Sequence, residues 1–214
     1  MTKPTRNGSA VSELSEFNPK VDQILAGARR VFLEHGFAAA TTDIVQQAAG
    51  VSKSTMYAYF PNKEVLFSAV VRVECEKMLA QTRTEVVRGR TIQETLRRIG
   101  IRLLEAVLEP STLALYRIAV AETPRFPKIG EVVYATGPMA NNREVASFLA
   151  EAARNGEIQV GDADTAAQQF VGMVLLDILQ RCLFGIEAPP KAGRMRKIVD
   201  AAVETFLRAH TATD

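Results

Sequence analysis

The feature that most constrains the fold is a glycine at position 50, which separates two short segments with helical periodicity. The segments cover about residues 42–49 and 53–60, and in each the apolar residues recur three or four positions apart. Glycine readily adopts the positive φ with which a helix ends abruptly, and only about three residues separate the two segments. This spacing predicts two helices joined by a tight turn, which is the helix-turn-helix arrangement.

A longer helix is predicted immediately before this pair. Asn18 suits the N-cap, and Pro19 suits the first helical position, where its missing N–H costs nothing. Apolar residues then recur with a period near 3.6 between positions 21 and 32. Gly36 suits the position just after a helix. The pattern predicts a helix over residues 19–35.

The rest of the chain keeps the helical pattern, and the predicted fold class is all-α. Thr42 and Asn62 are predicted to cap the second and fourth helices. No alternating segments joined by a hairpin dipeptide occur, and residues 157–160 are predicted to form a loop. Further helices are predicted over about residues 92–107, 111–122, 127–136, 139–155, 162–184 and 191–209.

Composition excludes several classes of protein. The hydrophobic fraction of 47 % is too high for a disordered chain, and the net charge of +2 does not by itself indicate a polyanionic partner. Cys75 and Cys182 lie too far apart for a zinc module or a disulfide scaffold. The first 17 residues are polar and lack the apolar core of a secretory signal. We therefore expect a cytoplasmic location and no membrane segment.

The sequence lacks the residue patterns on which catalysis depends. His35 and His210 have no neighbouring Cys, Ser–Gly turn or carboxylate cluster. No glycine-rich loop has a phosphate-binding or dinucleotide-binding pattern. We therefore expect no enzyme activity, no metal site and no cofactor.

The predicted helix over residues 53–60 has a face suited to nucleic acid. Lys53, Ser54 and Tyr57 lie on one side of it when Met56 and Phe60 are buried. No Asp or Glu occurs between positions 44 and 63, so no carboxylate within this stretch would repel phosphates. Such a face fits a helix in the major groove of DNA.

Each of these residues also has an ordinary structural interpretation. Tyr57 and Tyr59 fit half-buried aromatic residues equally well, and Lys53 and Lys63 fit solvated surface lysines. Ser52 fits a helix N-cap whether or not DNA is bound. Because the same motif occurs in helical proteins that bind no DNA, a helical interaction or sensor protein is the alternative function.

Two runs of sequence resemble the Tet-repressor (TetR) family. Residues 24–37, ILAGARRVFLEHGF, are similar to its first helix. Residues 41–64, TTDIVQQAAGVSKSTMYAYFPNKE, are similar to its helix-turn-helix and the start of its fourth helix. The resemblance implies a homodimeric transcriptional regulator, usually a repressor. It also implies a palindromic operator on double-stranded DNA and release by a small, mostly apolar effector.

The resemblance also implies roles for individual residues and a division into domains. Positions matching Lys53, Ser54, Thr55 and Tyr57 approach bases or the nearby backbone, and Thr42, Tyr59 and Lys63 match positions that contact phosphates. Residues 119–138 are similar to the regulatory domain of an AefR/AcrR-like subset. The expected domains are a flexible tail (1–17), a three-helix helix-turn-helix DNA-binding domain (18–65) and a larger helical ligand-binding and dimerisation domain (66–214). The predicted DNA-binding set is Thr42, Ser52, Lys53, Ser54, Thr55, Tyr57, Tyr59 and Lys63.

The predicted helix over residues 162–184 is apolar nearly all round from position 170 onward. Such a helix must be covered on every side, and we expect the core of its own domain and a second copy of the chain to cover it. With the last helix it would form a four-helix interface. The predicted interface residues are Val174, Ile178, Cys182, Val199, Val203 and Phe206, and the predicted pocket residues are Tyr116, Phe126, Met139, Phe148, Phe170 and Met173.

Overall fold

The protein is all-α, as predicted from its sequence. A computed structural model describes residues 18–83 and 91–210, and no strand occurs within these ranges. The predicted tail at residues 1–17 lies outside the described residues. The helices are α1 (Pro19–Ala39), α2 (Thr42–Ala49), α3 (Lys53–Tyr59), α4 (Lys63–Arg83), α5 (Ile92–Val107), α6 (Pro110–Glu122), α7 (Pro127–Thr136), α8 (Pro138–Arg154), α9 (Ala163–Leu183) and α10 (Ala192–His210).

Helix ends follow the predicted capping chemistry with one correction. The Asn18 side chain accepts a hydrogen bond from the backbone N–H of Lys20 and caps α1. This helix breaks at Gly36, where φ is 72° and ψ is 175°. The cap of α2 is Thr41 rather than the predicted Thr42, because the Thr41 hydroxyl accepts from the N–H of Ile44.

The described residues form two compact units. The first comprises residues 18–73 and 118–132, and the second comprises residues 74–83, 91–117 and 133–210. The boundaries of the units therefore fall within α4, α6 and α7. The predicted boundary between residues 65 and 66 separates two domains that would each fold independently. It is a different kind of division from these compact units and stays a prediction.

A close helix crossing organises the first unit. A Cβ atom added at Gly27 of α1 would lie 2.7 Å from both Cα and Cβ of Ala49 on α2. The absence of a side chain at Gly27 therefore lets the two backbones approach each other directly. Val21, Ile24 and Ala28 of α1 are at most 1 % exposed. Burial of this apolar stripe holds the three N-terminal helices together.

An aromatic cluster forms a second part of the core of this unit. The Phe32 and Phe67 rings meet edge to face with centroids 5.0 Å apart, and Phe37 meets Phe67 in the same way at 5.4 Å. Phe126 packs against Phe37 at 5.5 Å. Phe126 was predicted to line a ligand pocket, but its apolar ring fills this aromatic cluster instead.

The core of the second unit lies among α5, α8, α9 and α10. Phe170 of α9 and Phe206 of α10 are at most 1 % exposed, and their rings meet edge to face at 5.5 Å. A Cβ atom added at Gly100 of α5 would lie 2.7 Å from a methyl carbon of Val199, so α5 and α10 also cross closely. Arg117 of α6 donates to the carbonyls of Cys182 and Leu183. It thereby supplies hydrogen-bond partners for two carbonyls at the C-terminal end of α9.

Burial corrects the predicted interface residues. All six side chains are at most 2 % exposed within a single chain, because they form the inward face of α9 and α10. They therefore present no surface to a second subunit. The exposed apolar residues of α9 and its C-terminal turn are Met173, Leu176, Phe184 and Ile186, at 40 %, 62 %, 76 % and 67 % exposure. None of the described helices is long and apolar enough to cross a membrane.

We predict that Gly27→Ala destabilises the protein by about 1–3 kcal/mol, because the new methyl group would overlap the backbone of Ala49. Denaturant unfolding followed by circular dichroism measures the effect. Gly193→Ala is the matched control, since a Cβ atom at Gly193 of α10 would have no neighbour within 4 Å. Equal stability of the two variants would contradict the close crossing of α1 and α2.

Candidate functional site

The turn between α2 and α3 is built from backbone and hydroxyl hydrogen bonds. Gly50 adopts the left-handed conformation, with φ of 62° and ψ of 39°, and Val51 N–H then donates to the Gln46 carbonyl. Ser52 caps α3, because its hydroxyl accepts from the N–H of Thr55 at 3.1 Å. These contacts fix the direction in which α3 leaves the turn.

Side chains of α1 satisfy the C-terminal carbonyls of α2. Gln23 Nε2 donates to the Ala49 carbonyl at 2.7 Å, and Arg30 Nη2 donates to the Ala48 carbonyl at 2.5 Å. These carbonyls have no partner inside their own helix. Neither role was predicted from the sequence. The available signal was a pair of long polar side chains, seven residues apart and therefore on one face of α1.

The exposed face of α3 carries hydroxyl and ammonium groups. Lys53 and Ser54 are exposed at its first turn, and Tyr57 is 40 % exposed one turn later. The Tyr57 hydroxyl lies 3.1 Å from the Thr42 hydroxyl and shares a hydrogen bond with it. This contact links the phenol ring to the first turn of α2. Met56 lies on the opposite face and is 1 % exposed.

One carboxylate adjoins this face. Lys53 Nζ lies 2.8 Å from Asp43 Oδ1. The hydrogen bond to the Asp43 carboxylate raises the pKa of Lys53, and the attraction between the two charges adds to it. Asp43 stands just before the acid-free stretch of residues 44–63 and was missed. Periodicity along one helix did not reveal it, because Asp43 reaches Lys53 from the neighbouring helix.

Side-chain hydrogen bonds hold the remaining predicted DNA-binding residues in place. Ser52 Oγ lies 2.9 Å from Ser54 Oγ and 2.7 Å from Thr55 Oγ1. Tyr59 is half-buried, and its hydroxyl accepts a hydrogen bond from Nδ2 of Asn18 at 3.0 Å. Asn18 therefore caps α1 with its oxygen and holds the end of α3 with its nitrogen.

Lys63 has a structural partner that the sequence did not reveal. Its ammonium donates to the carbonyls of Phe37 at 2.8 Å and Ala38 at 3.2 Å, and it lies 4.4 Å from the centre of the Phe37 ring. The ammonium thus satisfies two carbonyl acceptors that follow the break in α1. An ammonium has three N–H donors, so one remains for another acceptor.

The second unit contains a cavity of about 330 Å³. Its wall is formed by residues of α4 to α9, most of them apolar. Cys75 of α4 lies on this wall, and burial raises the pKa of its thiol, which favours the neutral form. The lining residues are Cys75, Met78, Leu103, Val107, Thr112, Leu113, Tyr116, Val133, Tyr134, Gly137, Pro138, Asn141, Asn142, Val171, Leu175 and Leu179.

The structure brings one of the six predicted pocket residues, Tyr116, to this cavity. Phe170 lies in the core of the second unit, and Phe148 is half-buried against that core. Met173 is exposed on α9, and Met139 is half-buried in the first turn of α8. The helix periodicity identified apolar positions, but it did not identify which space between the helices stays open.

Two findings limit other kinds of site. Within residues 18–83 and 91–210, no group of three or more His, Cys, Asp or Glu side chains could hold a metal ion. His210 instead packs on the Phe206 ring, with centroids 4.4 Å apart. The candidate functional surfaces considered further are the exposed face of α3 and the apolar cavity of the second unit.

Comparison with known families identifies the chain. Residues 24–70 match the family described as "Bacterial regulatory proteins, tetR family". Residues 94–212, more than half of the chain, match "AefR-like transcriptional repressor, C-terminal domain". The chain belongs to the TetR family of transcriptional regulators. Transcriptional regulation through a helix-turn-helix is therefore its function, as the sequence predicted.

Individual relatives agree with this assignment. A helix-turn-helix transcriptional repressor of Mycobacterium tuberculosis is 40 % identical over 67 residues, which are 31 % of this chain and 36 % of that protein. The transcriptional regulator UidR of Escherichia coli is 28 % identical over 174 residues, 81 % of this chain and 85 % of that one. The solved structure of the flavonoid-responsive regulator FrrA is 31 % identical, with a TM-score of 0.76, and the match covers 91 % of this chain and 98 % of that one.

We predict that Lys63→Met lowers the free energy of unfolding by about 1–2 kcal/mol, because two carbonyls lose a charged donor. Thermal unfolding of the full chain measures it. Lys53→Met is the matched control: both side chains of its ion pair with Asp43 are exposed, so its Tm should stay unchanged. An unchanged Tm for Lys63→Met would contradict the role of Lys63 as a cap.

Proposed function

We propose that the chain is a repressor that binds a palindromic operator as a homodimer and is released by a small effector. The observation that carries the proposal is the exposed face of α3, on which Lys53, Ser54 and Tyr57 stand clear of the core. An α-helix with such donors at its N-terminal end fits the major groove, where side chains of the first turns meet base edges.

Contacts within the first unit support different roles for the predicted DNA-binding residues. Ser54 and Tyr57 have exposed hydroxyl groups that can meet base edges or the backbone beside them. Thr42 sits in the first turn of α2, where backbone N–H groups favour a phosphate. Lys53 is held by Asp43 in the free protein and would exchange that carboxylate for DNA phosphates. Lys63, with two donors already committed, has one N–H left for a phosphate.

The proposed dimer surface is the outward side of α9 and its C-terminal turn. Met173 and Leu176 are exposed there although the opposite side of α9 is buried. Phe184 and Ile186 extend the apolar surface beyond the helix, at 76 % and 67 % exposure. Exposed large apolar side chains grouped in this way favour a protein partner. A second copy of the same surface satisfies the two-fold symmetry of a palindromic operator.

The proposed effector site is the cavity of the second unit. Cys75, Tyr116 and Tyr134 of its wall belong to α4, α6 and α7, the three helices that contribute residues to both units. An effector that fits one arrangement of these helices better than another changes the population of DNA-binding dimers. By linkage, effector and operator weaken each other's binding by the same factor. The name of FrrA, a flavonoid-responsive relative, supports a small-molecule response.

Selection of DNA from a random pool tests the operator proposal. We expect enrichment of a two-fold symmetric sequence whose half-sites lie about one helical turn apart or a multiple of it. Failure to enrich any such sequence at low salt would favour the helical interaction or sensor protein. A mobility-shift assay with the enriched sequence then measures operator binding for the two predictions below.

We predict that Tyr57→Ala weakens binding to the selected operator by about 1–3 kcal/mol, because a contact at the base edges is lost. Binding to unrelated DNA should stay nearly unchanged, since phosphate contacts dominate it. The Tm of the variant controls for folding. Equal operator affinity of the variant and the parent would assign Tyr57 a purely structural role.

We predict that Leu176→Lys produces a monomer, because a charge would be buried in the proposed interface. Sedimentation velocity at micromolar concentration measures the change, and operator binding should fall with it. Val120→Lys is the matched control, since Val120 is also an exposed apolar residue (60 %) but lies in the other unit. A parent protein that sediments as a monomer would contradict the dimer altogether.

A further inference from the structure

We infer that the cavity takes an uncharged, largely apolar molecule that carries a hydroxyl group, and that this hydroxyl hydrogen-bonds to Asn141. The inference rests on the proposed effector site and names its ligand class and a specificity-determining residue. It is carried by the chemistry of the wall, which has no charged side chain among its described residues, and by Asn141, which lines the cavity and makes no side-chain hydrogen bond to the described residues.

The neutrality of the wall excludes charged ligands. Among the described residues that line the cavity there is no Lys, Arg, His, Asp or Glu. The Cys75 thiol is kept neutral by burial, which raises its pKa. A carboxylate or an ammonium group would lose its hydration in this space without a charged partner, which is strongly unfavourable. The apolar residues of the wall instead favour a hydrocarbon or aromatic body.

Asn141 is the polar exception. It lies in the first turns of α8, is 8 % exposed and lines the cavity. Its side chain makes no hydrogen bond to any of the residues that the structure describes. Next to it, Oδ1 of Asn142 is buried and also has no partner among them. A buried acceptor left unpaired, as Asn142 Oδ1 is, costs about 1–3 kcal/mol, so this wall favours a ligand that supplies hydrogen bonds.

The amide of Asn141 selects the kind of polar group. An amide offers two N–H donors and a carbonyl acceptor. A hydroxyl group can accept from the donors or donate to the acceptor. An ether oxygen can only accept, so it leaves the acceptor of the amide unpaired. The Thr112 hydroxyl is directed to the sulfur of Met78 at 3.9 Å, which leaves Tyr116, Tyr134 and Asn142 as the other candidates for the ligand's hydroxyl. The test must therefore remove the amide of Asn141 while these other polar groups stay in place, and Tyr116 serves as the comparison.

Size sets a further limit. The cavity of about 330 Å³ lies near the lower end of the range of about 300–1,000 Å³ for small-molecule sites. A compact molecule of two or three rings is therefore a better fit than a long chain with a large head group. A matched set of biphenyl compounds samples this size and varies only the polar group.

The experiment uses the full-length protein and three probes: para-phenylphenol, para-methoxybiphenyl and para-phenylbenzoate. Calorimetry and the ligand-induced rise in Tm measure binding. We expect para-phenylphenol to bind roughly tenfold more tightly than the methoxy compound, the difference of one good hydrogen bond. The carboxylate should bind most weakly. Tighter binding of the carboxylate, or binding of none of the three, would overturn the inferred ligand class.

Two variants assign the selectivity. Asn141→Leu keeps the volume of the side chain and removes the amide, so the preference for hydroxyl over methoxy should fall to about onefold while para-methoxybiphenyl still binds. Tyr116→Phe should retain the preference. Loss of the preference in Tyr116→Phe but not in Asn141→Leu would overturn the role of Asn141. Should Asn141→Leu fail to fold, the three-probe comparison on the parent protein still decides the ligand class.

The readouts separate this inference from the proposed function. Probe binding is measured without DNA, whereas operator selection is performed without probe. If the protein binds an operator but shows no preference among the three probes, the inferred ligand class is overturned and the repressor proposal is not. Probe preference without an enriched operator would contradict the repressor proposal and leave the cavity chemistry standing. A probe that binds should also weaken operator binding if both proposals hold.

Discussion

The direct contact between α1 and α2 is the constraint on which the helix-turn-helix part of the first unit depends. The bare backbone of Gly27 meets Ala49, and this crossing brings Gln23 and Arg30 within reach of the last carbonyls of α2. A side chain at position 27 would separate the helices and leave those carbonyls unpaired. The direction of α3 follows from this crossing, because only the short turn at Gly50 connects α3 to α2.

Several side chains that are proposed to contact DNA also make contacts within the protein. Lys63 binds two carbonyls beyond the break in α1, and Tyr59 is held by Asn18. Lys53 is paired with Asp43, and Tyr57 with Thr42. These contacts orient the side chains on the exposed face of α3. Pre-orientation of this kind lowers the entropy lost when long side chains are fixed against another molecule.

Helix α9 explains how one nearly all-apolar helix can serve three purposes. Phe170, Val174 and Ile178 face the core. Val171, Leu175 and Leu179 line the cavity, and Met173 and Leu176 are exposed. These three sets lie on different sides of the helix because successive residues are rotated by about 100°. The composition of α9 thus reflects a core face, a cavity face and an exposed face in one element.

The sequence by itself determined the helical class, most of the helix ends and the family. These features depend on residues close together in the chain, such as Asn18 before α1 and Ser52 before α3. The apolar character of α9 was equally evident from the sequence. Local patterns also located the residues now proposed for DNA, because they lie within a single turn and a single helix.

Tertiary structure decided which apolar residues are core, cavity or surface. The predicted interface residues are buried within one chain, and Phe126 packs on Phe37 rather than lining a cavity. The unpaired amide of Asn141 and the pairing of Lys53 with Asp43 likewise appear only when separate helices are brought together. Periodicity defines the faces of one helix, whereas the space next to each face depends on the neighbouring helices, which lie far away in the sequence.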